Sequence, residues 1–209
     1  MNAKIRILIV DDHSMVRLAL AQAIERNSDL CLVGEAANGN DALSLYRELR
    51  PDVVTMDFKL PDRDGDEVIA AIRAEFPDVK AVLLSIFEDA ESIWRATQAG
   101  ALGYVSKAAE IDELVAAIRQ VAGGTPYYSA GLAEKLAQRS EQEDLTPREL
   151  EVLHHLVSGR SNKEIVNEMR LSISTVKHHL ENIFIKLKVC DRTQAVTVAL
   201  QRGIVRLSE

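Results

Sequence analysis

Four short apolar runs, IRILIV, DVVTM, AVLL and ALGYV, each end within two residues of a polar landmark: Asp11-Asp12, Asp57, Ser85 and Lys107, with Tyr104 inside the last run. A fifth run, LCLVGEA, carries no such landmark. Amphipathic stretches with apolar residues at helical spacing separate the runs, as Val16, Leu20, Ala23 and Ile24 show after a Ser14 expected to cap the first helix. Five strands alternating with five helices predict an α/β fold with a doubly wound five-stranded parallel sheet. Near-continuous apolar strands fit a sheet covered on both faces. In such a sheet the C-terminal strand ends share one edge, where ligands bind. Residues spread over about a hundred positions therefore converge on one site.

That site would hold three carboxylates, a hydroxyl and an ammonium. Two unit charges about 4 Å apart repel by roughly 4 kcal/mol at an effective dielectric near 20. The cluster must therefore neutralise by taking up protons, Lys107 or a cation. A hard ion such as Mg²⁺ suits carboxylate oxygens. Asp57 would then be free to act as a covalent nucleophile toward a phosphoryl donor, with Lys107 on the equatorial oxygens and a hydrogen bond from Ser85. Each landmark alone reads as an ordinary polar strand end; the set at consecutive strand ends does not.

The second half carries only helical patterns. Thr146-Pro147-Arg148-Glu149 and Ser161-Asn162-Lys163-Glu164 are capping boxes that open two short helices. Ser172 or Ser174 then opens the longer STVKHHLENIFIKL, and a further helix starts near Arg192. A short helix, a tight turn and a longer helix outline a helix-turn-helix. Charge separates the halves: residues 1–140 hold 15 Lys+Arg against 22 Asp+Glu, whereas residues 145–209 hold 10 against 7. The acidic average of −7 thus hides a mildly basic C-terminal part suited to a polyanion. These breaks divide the chain into 1–124, a linker with a short helix at 125–144, and an all-α domain at 145–209. Cys31 and Cys190 lack metal-ligand spacing and are expected as free thiols in a cytoplasmic protein. No apolar run is long enough for a membrane span, no signal-peptide pattern opens the chain, and no membrane partner is expected.

VDDH, MDFKLPDRDG, LLSI and GYVSK together resemble the receiver domain of bacterial response regulators over roughly residues 4 to 122, which implies a flavodoxin-like sheet. The resemblance implies that Asp57 is the phosphoacceptor. It also implies Mg²⁺ (or Mn²⁺) on Asp12 and Asp57, aided by Asp11 through water and by the backbone carbonyl of Lys59. Ser85 and Tyr104 would be the switch pair. Ser85 replaces the commoner Thr, and Ala108 replaces the usual Pro after Lys107, where a trans peptide is expected. Lys59 and Phe87 occupy positions that often tune dephosphorylation.

LTPRELEVLHHLVSGRSNKEIVNEMRLSISTVKHHLENIFIKLKVCDRTQAV is similar to the DNA-binding domain of LuxR-type regulators, which with the receiver points to the NarL/FixJ family. The resemblance makes STVKHHLENIFIKL the recognition helix. Lys177, His178 and Glu181 would face DNA, while Val176, Leu180, Ile183, Phe184 and Leu187 face inward. Ser172, Ser174 and Thr175 at its start suit phosphate contacts. Taken without the resemblance, the first three read equally well as a solvated helix face. Neither His178-His179 nor His154-His155 is read as a metal site, because adjacent helix positions point apart. Lys188 and Cys190 depart from the common Gly-Val-Arg of the following turn.

The implied protein is a cytoplasmic, DNA-binding transcriptional regulator switched by phosphorylation of Asp57. Its expected partners are a sensor histidine kinase, double-stranded DNA and a second copy of itself, with RNA polymerase a further candidate. It would not be an enzyme beyond Mg-dependent self-phosphorylation and slow autodephosphorylation. Two other classes compete. A phosphohydrolase with an Asp57 nucleophile lacks the second acid, since Lys59 stands two positions later. A nucleotide- or flavin-binding module would need a Gly-rich loop after the first run, and none is present.

Overall fold

The computed structural model describes residues 3–140 and 143–205. The described residues form two compact units, one within 3–88 and 93–133, the other within 89–92, 134–140 and 143–205. The first contains β1 (Ile5–Val10), α1 (Ser14–Glu25), β2 (Leu30–Ala36), α2 (Gly39–Leu49), β3 (Val53–Asp57), α3 (Gly65–Glu75) and β4 (Ala81–Ser85). Then follow α4 (Ala90–Ala99), β5 (Gly103–Ser106), α5 (Ile111–Ala122) and β6 (Tyr127–Tyr128).

The sheet is parallel throughout, in the order β2-β1-β3-β4-β5-β6. The five expected strands are present, and a sixth corrects the count. Tyr127 and Tyr128, placed by the sequence in a linker, pair with Gly103 and Tyr104. Two residues are too short to show an alternation, and Pro126 before them reads as a breaker.

Strand side chains alternate between two buried faces. Ile7, Ile9, Val53, Val82, Leu84 and Val105 pack with Leu20 and Ile24 of α1 and Leu114, Ile118 and Val121 of α5. Leu8, Val54, Met56 and Leu83, also fully buried, occupy the alternate positions. At roughly 1.5–3 kcal/mol per fully buried large aliphatic side chain, this double covering makes the central strands rigid supports for whatever follows them. Residue 13 corrects the expected start of α1: His13 is the N-cap, Ser14 is the first helical residue, and no side chain caps the helix.

The second unit comprises most of α6 (Leu132–Ser140), then α7 (Pro147–Val157), α8 (Asn162–Met169), α9 (Ile173–Leu187) and α10 (Arg192–Gln201). Both predicted capping boxes form, at Thr146–Glu149 and Ser161–Glu164. Ser172, rather than Ser174, caps α9 by accepting from the Thr175 N–H at 3.1 Å. Val152, Leu153, Leu156, Ile165, Val176, Leu180, Ile183 and Leu187 meet in one core. Phe184, expected inside, is only partly buried at its edge. Lys186 Nζ lies 2.8 Å from Oε2 of the buried Glu149 and ties the end of α9 to the start of α7.

Candidate functional site

The central strands bring the predicted carboxylates together. Met56 is level with Val10, Asp57 with Leu84, and Ser85 with Ser106, so the ends of β1, β3, β4 and β5 open on one cleft. Asp12, His13, Asp57, Phe58, Lys59, Ser85, Phe87 and Lys107 line it. Asp11 has no exposed surface, and Asp57 and Ser85 are buried. Lys107 Nζ stands 2.7 Å from Asp11 Oδ2 and 2.8 Å from Asp57 Oδ2. The contact to Asp11 is an ion pair rather than a well-aligned hydrogen bond. Asp57 Oδ1 accepts from the Lys59 N–H at 3.3 Å, and Asp11 Oδ1 from the His13 N–H at 2.9 Å.

Burial pushes the Asp57 carboxyl above its ordinary value of 3.8; the Lys107 hydrogen bond opposes the shift, and the neighbouring Asp11 charge adds to it. Burial alone disfavours the Lys107 ammonium, but the Asp11 and Asp57 carboxylates held against it outweigh burial and keep the group above 10.5. Lys107 therefore stays charged and bridges two of the three carboxylates. Asp12 is the most exposed of the three, with its carboxylate beside the cleft. This donor set of hard oxygens with residual negative charge fits a divalent cation.

Ser85 and Tyr104, the expected switch pair, meet at one residue. Ser85 Oγ accepts from the Phe87 N–H at 2.9 Å, and the buried Tyr104 hydroxyl donates to the Phe87 carbonyl at 2.6 Å. Ser85 and Tyr104 thus hold the two peptide groups of the segment after β4. The Lys107 N–H donates to the Ser85 carbonyl at 2.8 Å, and the Lys107–Ala108 peptide is trans, as expected.

Four groups at the site were not singled out by the sequence reading. His13 turns Nδ1 toward Asp12 Oδ1, at 2.6 Å. Arg95 on α4 forms hydrogen bonds of 2.9–3.0 Å with Asp64 and Asp66, and Asp64 also binds Lys59 Nζ at 2.7 Å. The Arg95 guanidinium lies 5.4 Å from the Phe58 ring centre, and Phe58 meets Phe87 edge-on at 5.9 Å. Gly65 is needed for close approach. A Cβ there would collide with the Asp57 carbonyl oxygen and lie 2.9 Å from Met56 Cγ. None of these pairings is near in sequence except His13–Asp12 and Lys59–Asp64, and only an acidic-basic pattern around residues 59–66 hinted at the second.

The predicted DNA residues belong to the second unit, on α9 and at its N-cap. Lys177, His178 and Glu181 are exposed on one face, opposite Val176, Leu180 and Ile183. Ser172 Oγ lies 2.7 Å from Ser174 Oγ and 2.8 Å from Thr175 Oγ1, a hydroxyl cluster at the helix start. His178 Nε2 is 3.3 Å from Asn182 Nδ2.

Comparison with known proteins agrees with both halves. Residues 7–119 match the response regulator receiver domain, and residues 143–199 match the bacterial regulatory proteins of the luxR family. The response regulator protein VraR of Staphylococcus aureus is 35% identical over 207 residues, covering 97% of this chain and 99% of VraR. The chain belongs to the response regulator family, with a receiver and a luxR-type regulatory domain. A LuxR-family two-component response regulator from Aurantimonas is 34% identical with a TM-score of 0.63, covering 67% of this chain and all of that one. The response regulator ChrA of a heme-sensing two-component system is 32% identical with a TM-score of 0.55, covering 98% of this chain and all of ChrA. No helix of this regulator, among the described residues, is long and apolar enough to cross a membrane.

Proposed function

We propose that this response regulator takes a phosphoryl group from a sensor histidine kinase onto Asp57 and reads double-stranded DNA with α9. The observation that carries the first part is the buried Asp57 carboxylate bridged to Asp11 by Lys107 at a sheet edge. The kinase's phosphohistidine is the donor: its P–N bond breaks as an Asp57 oxygen bonds to phosphorus, and the imidazole leaves. Lys107 Nζ moves from carboxylate charge to equatorial phosphoryl oxygens. The Ser85 hydroxyl donates to one of them, since its bond from Phe87 uses only its acceptor side. Asp12, Asp57 and the Lys59 backbone carbonyl would hold Mg²⁺ or Mn²⁺, with Asp11 acting through water. The cation supplies charge neutralisation between Asp57 and the incoming phosphoryl group.

Recruiting Ser85 shifts Phe87, and with it the Tyr104 hydroxyl bound to the same residue. That shift alters a surface on which two copies pair, and paired α9 helices occupy two half-sites of DNA. Ser172, Ser174 and Thr175 contact phosphate; Lys177, His178 and Glu181 face the bases. The receiver then corresponds to residues 1–124 extended by β6, and the DNA-binding domain to 145–209. The protein works in the cytoplasm and has no turnover chemistry beyond self-phosphorylation from small donors and slow autodephosphorylation. A phosphohydrolase would need an acid at position 59, where Lys59 binds Asp64 instead.

The test is incubation with acetyl phosphate and Mg²⁺, read by intact mass, followed by binding to genomic DNA fragments. A single persistent adduct is expected on the native chain and none on Asp57→Asn. Phosphorylation should tighten DNA binding, and turnover without adduct would sink the reading. Asp57→Asn should also melt about 2–4 °C higher at neutral pH, on the order of 1 kcal/mol. The raised Asp57 pKa means the fold favours the neutral acid. That contribution is fully present below 3.8 and is lost as pH rises through the folded value, whereas Asn keeps it. The melting advantage should therefore vanish toward pH 3.8.

A further inference from the structure

His13 is 69% exposed in its side chain, yet Nδ1 points into the acidic cluster rather than to solvent. Asp11, Asp12, His13 and Asp57 each offer one ligand atom, and all four atoms lie within 4.8 Å of one another. Nδ1 is 2.6 Å from Asp12 Oδ1 and 3.4 Å from Asp11 Oδ1. Ligand atoms at right angles around an ion with bonds of about 2.1 Å stand about 3 Å apart. The His13–Asp12 separation lies just inside that edge, so a small side-chain rotation lets Nδ1 and Asp12 Oδ1 share one ion, with Asp11 beside them through water.

The backbone holds His13 for this. Its extended conformation, φ −82° and ψ 110°, makes it the N-cap of α1, but its side chain makes no cap hydrogen bond. Its N–H donates to Asp11 Oδ1 at 2.9 Å and fixes that carboxylate beside the ring. Lys107 already satisfies the other oxygen of Asp11 and one of Asp57. The open side of the cluster is therefore the side His13 occupies, together with Asp12. Like Asp64 before α3 and Glu110 before α5, His13 makes no cap hydrogen bond with its side chain; its ring faces the carboxylates instead.

We propose that His13 is a protein ligand of the divalent cation at this site, through Nδ1. It raises the preference for borderline first-row ions of the Co²⁺, Ni²⁺ or Zn²⁺ kind over Mg²⁺ above what carboxylates alone supply. Imidazole nitrogen suits those ions and adds little for Mg²⁺, which keeps oxygen ligands and waters. The inference rests on the cluster being the cation site named under the proposed function. It goes beyond that reading in ligand set and metal preference.

The experiment titrates the full-length protein with CoCl₂, followed by visible absorption, and separately with MgCl₂ by calorimetry at the same pH. The native chain is compared with His13→Ala, His13→Gln and Asp12→Ala. Both His13 variants should bind Co²⁺ about tenfold more weakly and shift its visible bands, while Mg²⁺ affinity changes less than about twofold. Asp12→Ala should weaken both metals. His13→Gln retains a polar side chain at the position, so its agreement with His13→Ala separates ligation from a lost hydrogen bond. If Asp12→Ala weakens both metals but the His13 variants leave the Co²⁺ to Mg²⁺ ratio unchanged, His13 is no ligand. If Asp12→Ala changes neither metal, the cation-site reading itself fails.

Discussion

The carboxylate cleft and the exposed face of α9 hold their polar residues in opposite ways. At the cleft, Asp11, Asp57, Ser85 and Tyr104 are buried, and each is held by a neighbour that is itself held. On α9, Lys177, His178 and Glu181 stand in solvent, and the helix beneath them is secured by other residues. Buried charges are tolerated only when paired, so chemistry and stability are the same interactions in the first region. In the second they are separable. Substitutions at the cleft should change both fold and function; substitutions on α9 should change one or the other.

The largest effect tests the coupled region. Gly65→Ala puts a methyl group against the Asp57 carbonyl and Met56, where α3 begins beside the strand end. Backbone cannot yield as a flexible side chain does. Overpacking of this kind should destabilise the receiver by about 3 kcal/mol and move Asp57. Chemical denaturation and acetyl phosphate labelling of one sample measure both. Loss of stability with normal labelling would break the claim that the two are one network.

A smaller effect, confined to function, is expected on the exposed helix. Lys177→Ala should reduce discrimination by roughly 1–3 kcal/mol at a single base pair and leave the melting temperature within a degree or so. Glu181 is acidic on the face that the proposed function presents to a polyanion. It fits acceptance of a hydrogen bond from a cytosine amino group, or orientation of Lys177. Glu181→Ala should strengthen binding to scrambled duplexes and weaken selectivity for the cognate one. Binding of both variants across a salt series is the measurement. Equal tightening on every duplex would make Glu181 a solvated rim charge only.

The same contrast explains what the sequence made legible. Strand ends are marked by abrupt changes from apolar to polar, so Asp11, Asp12, Asp57, Ser85 and Lys107 were readable as one site. Capping boxes are local four-residue patterns, so α7 and α8 were placed from Thr146 and Ser161. What escaped was long-range or short. Arg95 meets Asp64 and Asp66 about thirty positions away, with nothing local to announce it. β6 has two residues and exists because β5 offers an edge. Ser14 looked like a cap because its type prefers that role; the chain placed His13 there, turned toward Asp12.

The smallest effect separates stability from function on α9 itself. Lys188 ends the helix at φ 57° and ψ 48°, a left-handed conformation that favours glycine. Its N–H reaches the carbonyls of Phe184 and Ile185, and Val189 follows with its N–H on Phe184 and its side chain against the core. Lys188 therefore carries the strain of a Cβ in a conformation that glycine adopts without cost. Lys188→Gly should relieve it. Left-handed residues other than Gly cost about 1 kcal/mol, and the looser unfolded chain gives part of that back. A net gain of about 0.5 kcal/mol, or roughly 2 °C, is expected by calorimetry. The C-terminal end of a recognition helix is the end away from the base edges. Removing this ammonium should therefore leave the salt dependence of DNA binding unchanged. A slope shallower by about one, the signature of one lost phosphate contact, would show that Lys188 is kept for DNA despite its strain. The turn would then couple stability to binding, as is expected of the carboxylate cleft.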